Sequence, residues 1–120
     1  MPGKARYLMI ASMDVDPEHE AVFNEVYDNE HVPNLSKVPG VVSVTRYKRE
    51  ELTMNIGGER KTIRIDSEPT YTAIYELESP DVLTSPAWDK AIEQGRWPSQ
   101  VRPHTKNRRH VLLKLSEPKE

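Results

Sequence analysis

Apolar and polar positions along this chain repeat in two similar halves, each with the pattern strand, helix, strand. Residues 7–13 form a predicted strand that is mostly apolar on both faces. Asp16-Pro17-Glu18 supplies a capping side chain, a proline at the first helical position and an acid in the first turn. Apolar side chains then recur at helical spacing, so we predict a helix over about 17–31 that ends before Pro33.

A turn at Pro39-Gly40 leads into the last strand of the first half, and the second half repeats the arrangement from residue 71. Ser79-Pro80 and Ser85-Pro86 are two successive helix starts, which predict a kinked or two-piece helix reaching Gly95. The predicted strands around these segments cover residues 41–47, 71–77 and 110–115.

A hairpin joins the two halves. Leu52, Met54 and Ile56 alternate with polar residues up to Gly57-Gly58, a pair that suits a two-residue turn. This register places Ile56 opposite Glu59 and Leu52 opposite Ile63. We therefore expect a hairpin extension over about 51–66 within a single domain, residues 1–120.

Two βαβ units in tandem predict an α+β, ferredoxin-like βαββαβ fold with an antiparallel sheet. Helices cover only one face of such a sheet. If Leu8 and Ile10 pack beneath them, the other face presents apolar side chains, namely Tyr7, Met9, Ala11 and Met13. Because an exposed apolar sheet marks an interface, we expect a homodimer in which two sheets pack into a dimeric α/β barrel.

The composition of the chain argues against several classes of function. Hydrophobic residues make up 36% of the 120 residues, so the core of one chain is thin. A net charge of −2 argues against nucleic-acid binding, and the absence of cysteine excludes disulfides and thiolate chemistry. The apolar segment before Asp14 is too short for a signal peptide or a membrane span, which favours a cytoplasmic protein without a membrane partner. No metal or cofactor motif is present, so we predict neither.

The stretch Asn29-Glu30-His31-Val32-Pro33 carries the main chemical signal. On a regular helical wheel Glu30 falls at the centre of the apolar arc, which predicts a raised carboxyl pKa. His31 falls on the flank, one turn after Tyr27 and two after Asn24, where the helix end favours the imidazolium. The alternative is structural: Glu30 pairs with an arginine such as Arg46, and His31 caps helix carbonyls.

Further candidates for a ligand-binding cleft are aromatic and basic side chains. Each also has an ordinary structural explanation, since core packing accounts for most tryptophans and tyrosines. The candidates, which also include the amide of Asn24, are Tyr7, Asn24, Arg46, Tyr71, Trp88, Trp97 and His104, and of the two tryptophans Trp97, between Gly95 and Pro98, is the stronger.

Two segments make the chain resemble the EthD-like branch of the dimeric α/β barrel superfamily. Residues 27–35 (YDNEHVPNL), followed by Val38-Pro39-Gly40-Val41, are similar to the family's helix-end pattern. Ser85-Pro86-Ala87-Trp88 is similar to its second-helix segment. Related families on this fold include isomerases, cyclases, cofactor-free monooxygenases and haem-degrading enzymes, and several of them use a histidine and tyrosines in a cleft between helices and sheet.

The resemblance and the residues together lead to a functional hypothesis. We expect a cofactor-independent lyase, isomerase or cyclase that acts on a small aromatic or carbonyl compound in a catabolic pathway. His31 would move the proton, Glu30 would hold or exchange it, and Tyr27 would polarise an oxygen. The alternatives are a non-enzymatic binder or accessory protein of the same family and, less favoured, a haem-dependent or cofactor-free monooxygenase.

Overall fold

The computed structural model describes residues 6–117, and its main sheet has four antiparallel strands in the order β2-β5-β1-β6. This is the strand order of the ferredoxin-like fold, with the two βαβ units interleaved. A separate two-stranded sheet pairs β3 with β4. The strands are β1 (Tyr7–Val15), β2 (Val41–Lys48), β3 (Leu52–Ile56), β4 (Glu59–Ile63), β5 (Tyr71–Leu77) and β6 (Thr105–Lys114).

Within residues 6–117, three short α-helices, two π turns and three 3₁₀ turns connect the strands. The α-helices are α1 (Glu20–Val26), α2 (Val32–Ser36) and α3 (Pro86–Ile92). The first π turn is Tyr27–His31 and the second is Trp97–Val101. The 3₁₀ turns are Pro17–His19, Pro80–Thr84 and Arg102–His104.

The two-piece second helix is confirmed, and side-chain caps explain it. The hydroxyl oxygen of Ser79 accepts a hydrogen bond from the Asp81 N–H at 3.1 Å, and that of Ser85 accepts one from the Trp88 N–H at 3.2 Å. Each serine therefore begins a separate helical piece. α3 itself ends at Ile92, three residues before Gly95, which has a left-handed φ of +69°.

The prediction that Pro33 ends the first helix is wrong. The helical stretch continues through the first π turn into α2 and ends at Ser36. In a regular α-helix the Pro33 ring would clash with the carbonyl of Asn29, four residues earlier. The wider π turn comes immediately before α2 and relieves this clash, with Pro33 in the first turn of α2, where a proline is tolerated.

The predicted orientation of β1 is also wrong. Met9, Ala11 and Met13 are buried beneath the helices, while Leu8 and Ile10 lie on the opposite face. A strand that is apolar on both sides has no alternation of apolar and polar residues, so its sequence does not show which side chains face the helices. The pairing with β5 shows which face of β1 is buried. Met9 is paired with Tyr75, and both side chains lie on the helix side of the sheet.

An apolar open face therefore remains, but with different residues. Register relates Leu8 to Leu113 and Ile10 to both Ile74 and Val111 across β1, β5 and β6. Val111 and Leu113 are each about half exposed, at 50% and 47%. We call this set the open face, and it consists of Leu8, Ile10, Ile74, Val111 and Leu113.

The hairpin has the predicted register. Leu52 is paired with Ile63 and Ile56 with Glu59 around the Gly57-Gly58 turn. Both glycines have positive φ, 60° and 81°, as a two-residue turn of this kind requires. The hairpin leaves the main sheet between Arg49 and Thr70, whose backbone groups hydrogen-bond at 2.8 Å.

The core lies between the helical layer and the sheet. Its most deeply buried side chains are Phe23, Val26, Leu35, Leu77 and Val101. Among residues 6–117 no helix has both the length and the apolar character needed to cross a bilayer.

Candidate functional site

A cavity of about 280 Å³ lies between the helical layer and the sheet. It is at the small end of the volumes that ligand sites have, so it suits a ligand of about one or two rings. Its lining is largely apolar and aromatic, with a few polar groups. The lining residues are Met9, Ala11, Met13, Tyr27, His31, Leu35, Tyr75, Leu83, Trp88, Ile92, Trp97, Arg102, Arg108 and His110.

His31 lines this cavity, and the prediction that the helix end favours its imidazolium is wrong. Its side chain is buried, with 4% of the residue exposed. Burial lowers the pKa of His31 to about 4, the positive charge of Arg102 adds to the decrease, and Glu93 opposes it. His31 is therefore neutral near pH 7. Its Nδ1 is buried and has no hydrogen-bond partner within residues 6–117.

Trp97 fixes the ring plane of His31. The two rings stack face to face, with centroids 4.1 Å apart and planes 12° from parallel. His31 belongs to the first π turn and Trp97 to the second, so both stacked side chains come from widened helical turns. Such turns recur at functional sites because the extra residue redirects side chains that a regular helix would place elsewhere.

A pair of tyrosine hydroxyls supplies the second polar group of the cavity. The hydroxyls of Tyr27 and Tyr75 are 2.9 Å apart and buried. Burial raises the pKa of both phenols, so both stay protonated at neutral pH. One of the two hydroxyl protons forms the hydrogen bond between the tyrosines. The other proton remains available for donation to a ligand oxygen.

Glu30 does not have the predicted raised pKa. Its carboxylate accepts a hydrogen bond from the Arg96 backbone N–H at 2.9 Å and one from Arg96 Nε at 2.6 Å. The backbone bond and then the guanidinium hold the pKa of this carboxyl below its usual value. Glu30 does not line the cavity, so its contact is structural, although its partner is Arg96 rather than the predicted Arg46.

The Glu30 contact positions Trp97. It fixes the backbone at Arg96, directly before the second π turn in which Trp97 lies. The chain passes so close that a Cβ on Gly95 would lie 2.5 Å from Glu30 Oε1. Glu30 therefore holds the segment that carries the ring stacked on His31.

Three of the predicted ligand-binding residues lie in a different hollow. Arg46 donates hydrogen bonds to Asp28 Oδ1 at 2.7 Å and to Asn24 Oδ1 at 2.8 Å, and its guanidinium lies over the Tyr27 ring. Asn24 Nδ2 also donates to the Tyr71 hydroxyl at 3.3 Å. The structure thus brings Asn24, Arg46 and Tyr71 together, but behind Tyr27 rather than in the cavity.

Tyr7 and His104 do not line the cavity either. Tyr7 packs at the edge of the core at the start of β1. His104 stacks on His19 with centroids 3.5 Å apart, and donor atoms of these rings and of Asp16 lie within 4.8 Å of one another. The stacked rings are 7° from parallel, so their lone pairs do not converge on one point. Lys106 Nζ, 3.1 Å from Asp16, already neutralises the carboxylate, and the cluster does not fit a metal ion as it stands.

Sequence reasoning missed Tyr75, Arg102, Arg108 and His110. Two of these positions follow from strand alternation: Tyr75 lies on the same face of β5 as Tyr71, and His110 on the same face of β6 as Arg108. To use this alternation one must know which face of the sheet the helices cover. β1 is apolar on both faces, so its sequence does not show which face that is. Arg102 lies in a short 3₁₀ turn that has no sequence pattern of its own.

Fold and cavity together define an α+β protein with a ferredoxin-like fold and a candidate site between helices and sheet. The resemblance to EthD-like proteins is confirmed at the level of the fold. No protein-family model matches the sequence. No curated protein sequence matches it significantly.

Solved structures with this fold have little sequence identity to the chain. An ethyl tert-butyl ether D (EthD) family protein from Bacillus halodurans is 13% identical with a TM-score of 0.55, over 92% of this chain and 99% of that one. A putative antibiotic biosynthesis monooxygenase from Deinococcus radiodurans is 11% identical with a TM-score of 0.56, over 95% and 96%. The heme-degrading protein MhuD from Mycobacterium tuberculosis is 11% identical with a TM-score of 0.54, over 95% and 99%.

The buried neutral His31 predicts a pH dependence of stability. The unfolded chain binds a proton at this residue near pH 6.5 and the native protein near pH 4. The stability that depends on neutral His31 is therefore complete above pH 6.5 and is lost as the pH falls to 4. The difference between the two pKa values corresponds to about 3 kcal/mol.

Urea unfolding of the parent protein and of His31→Phe, at fixed protein concentration from pH 7 to pH 4, measures this loss. Phenylalanine keeps a ring beside Trp97 and removes the titrating nitrogen, so the variant should lose less stability over this range. His110, whose pKa burial also lowers, is present in both proteins and cancels in the comparison. Parallel pH curves for the two proteins would show that His31 is not buried.

Glu30→Ala should loosen Trp97. The variant loses both hydrogen bonds to Arg96, so we expect a lower melting temperature and a red-shifted tryptophan emission. Glu25→Ala is the matched control, because Glu25 contacts the same guanidinium at 3.5 Å but not the Arg96 backbone. Equal emission spectra and melting temperatures for the two variants would contradict a positioning role for Glu30.

Proposed function

We propose that this protein is a cofactor-independent enzyme that transfers a proton on a small aromatic or carbonyl compound bound in the cavity between helices and sheet. The reaction class is that of a lyase, isomerase or cyclase. His31 is the proposed base and the Tyr27–Tyr75 pair the proposed donor to the substrate oxygen. Glu30, expected from the sequence to share the proton, is proposed to act only by positioning Trp97.

The observation that carries this proposal is a neutral imidazole beside two protonated phenols in an apolar cavity. A neutral imidazole accepts a proton from carbon, whereas an imidazolium does not. The free hydroxyl proton of the tyrosine pair stabilises the negative charge that forms on the oxygen of an enolate. The apolar lining strengthens both interactions because it excludes water.

A second candidate function is non-enzymatic binding of a similar ligand. A catalytic histidine is normally oriented by a hydrogen bond on its second ring nitrogen. Here Nδ1 of His31 has no partner within residues 6–117, and stacking on Trp97 takes the place of that bond. This observation favours a carrier or accessory protein in which His31 contributes a hydrogen bond to a bound molecule.

Haem does not fit this site. The cavity of about 280 Å³ holds one or two rings, whereas a porphyrin joins four pyrrole rings in one flat macrocycle. We therefore assign no role to haem in the proposed reaction.

Hydrogen–deuterium exchange into candidate substrates tests for catalysis and does not require that the product be identified. Ketones and lactones with a C–H next to the carbonyl are incubated with the protein in D₂O and followed by proton NMR. We expect accelerated exchange for some of them. His31→Phe should slow that exchange by a factor of about 10²–10⁴, and Tyr75→Phe by about 10²–10³.

The matched control is Tyr71→Phe, which removes a hydroxyl from the same strand outside the cavity. Tryptophan fluorescence reports binding in parallel, because both tryptophans of the chain line the cavity. Compounds that bind without His31-dependent exchange would reject the enzyme and support the carrier. Exchange that is equal in the parent protein and in His31→Phe would remove this histidine from the mechanism.

We also propose that the protein works as a homodimer assembled through the open face. The apolar side chains there (Leu8, Ile10, Ile74, Val111, Leu113) lie on three adjacent strands, away from the cavity. A contiguous apolar surface of this kind is unfavourable in water unless it is covered. A second copy of the same sheet would supply a complementary apolar surface.

Light scattering at micromolar concentration should give twice the chain mass of 13.8 kDa. Val111→Lys should convert the protein to a monomer because it places a charge in the proposed interface. Leu112→Lys is the control, since Leu112 is similarly exposed at 46% but lies on the helix side of the same strand. A monomeric parent protein would contradict the dimer.

A further inference from the structure

The charged side chains that line the cavity all have the same sign. Arg102 and Arg108 are the only ones among the described residues, and no carboxylate lines the cavity. The chain as a whole carries a net charge of −2, so this positive charge is a local feature rather than a consequence of composition. An apolar cavity with a positive edge favours an apolar ligand with a negative group.

The two arginines differ in what neutralises them. Arg102 donates to both carboxylate oxygens of Glu93, at 3.1 and 2.7 Å, and to the Ile92 carbonyl at 3.1 Å. It is thus occupied in joining the end of α3 to the 3₁₀ turn before β6. Arg108 makes no hydrogen bond or ion pair within residues 6–117. Its guanidinium retains its donors for a ligand.

The charge of Arg108 reaches the polar groups of the cavity. It opposes the rise that burial causes in the pKa of Tyr27, and it adds to the decrease that burial causes in the pKa of His110. His110 lies two residues after Arg108 on the same face of β6. Because its pKa is lowered, it is a neutral hydrogen-bonding group at pH 7 and adds no positive charge to that of Arg108.

We propose that the ligand of this cavity is an aromatic or other ring compound that carries one carboxylate, or an equivalent anionic group, and that Arg108 binds this group at the rim. The inference rests on the proposed function only in placing the ligand in the same cavity. It assigns Arg108 to ligand specificity, a role independent of whether His31 moves a proton. A guanidinium suits this role because it forms two parallel hydrogen bonds to a carboxylate.

Phenylacetate and phenylacetamide are a suitable probe pair, because they have nearly the same shape and differ in charge. Binding is followed by tryptophan fluorescence and by calorimetry at constant ionic strength. We expect the parent protein to bind phenylacetate about tenfold more tightly than phenylacetamide. Arg108→Gln should abolish this preference and leave the affinity for phenylacetamide unchanged.

Arg109→Gln is the matched control. It removes the same charge from the next residue, whose side chain lies on the other face of the sheet and pairs with Glu68 at 2.8 Å. This variant should keep the preference, with an unchanged mass by light scattering. Equal affinity for the two probes in the parent protein, or loss of the preference in both variants, would overturn the role of Arg108 and leave the cavity a ligand site. Absence of binding by both probes would count against the cavity itself and overturn the proposed function with it.

Discussion

The hydrogen bond from the Val32 N–H to the Tyr27 carbonyl is the interaction on which the rest of the site depends. It spans five residues rather than four, so the helix carries one extra residue in this turn. The side chains within and after this turn are rotated relative to a regular helix. His31 consequently lines the cavity and Glu30 lies outside it, the reverse of what a regular wheel predicts. Pro33 explains why the turn widens here, since its ring leaves no room for a regular α-helical carbonyl at Asn29.

The second π turn completes the arrangement from the other side. It also contains a proline, Pro98, and its closing hydrogen bond joins the Arg102 N–H to the Trp97 carbonyl. Glu30 connects the two turns through Arg96, and Trp97 then stacks on His31. Glu30, which does not contact the cavity, thereby helps to determine the environment of the His31 imidazole. The low pKa of His31 and its candidate role as a base both follow from this closed geometry.

The sequence was sufficient to predict the ferredoxin-like fold, the serine caps of the second helix and the register of the Gly57-Gly58 hairpin. Each of these depends on local patterns of a few residues. It was sufficient to locate His31, Tyr27, Trp88 and Trp97 as candidates, and all four line the cavity. It failed on the roles of Glu30 and His31, because a wheel of constant pitch cannot represent a π turn. It also failed on Arg108, because the facing of the sheet depends on pairing between strands that are distant in sequence.

The central claim, that a widened turn directs His31 into the cavity, can be measured directly in solution. Scalar couplings across hydrogen bonds, detected by NMR on isotope-labelled protein, identify the carbonyl that accepts each amide proton. We expect a coupling between the Val32 amide and the Tyr27 carbonyl carbon. A coupling from the Val32 amide to the carbonyl of Asp28 would show a regular α-helix at this position, and would contradict the placement of both His31 and Glu30.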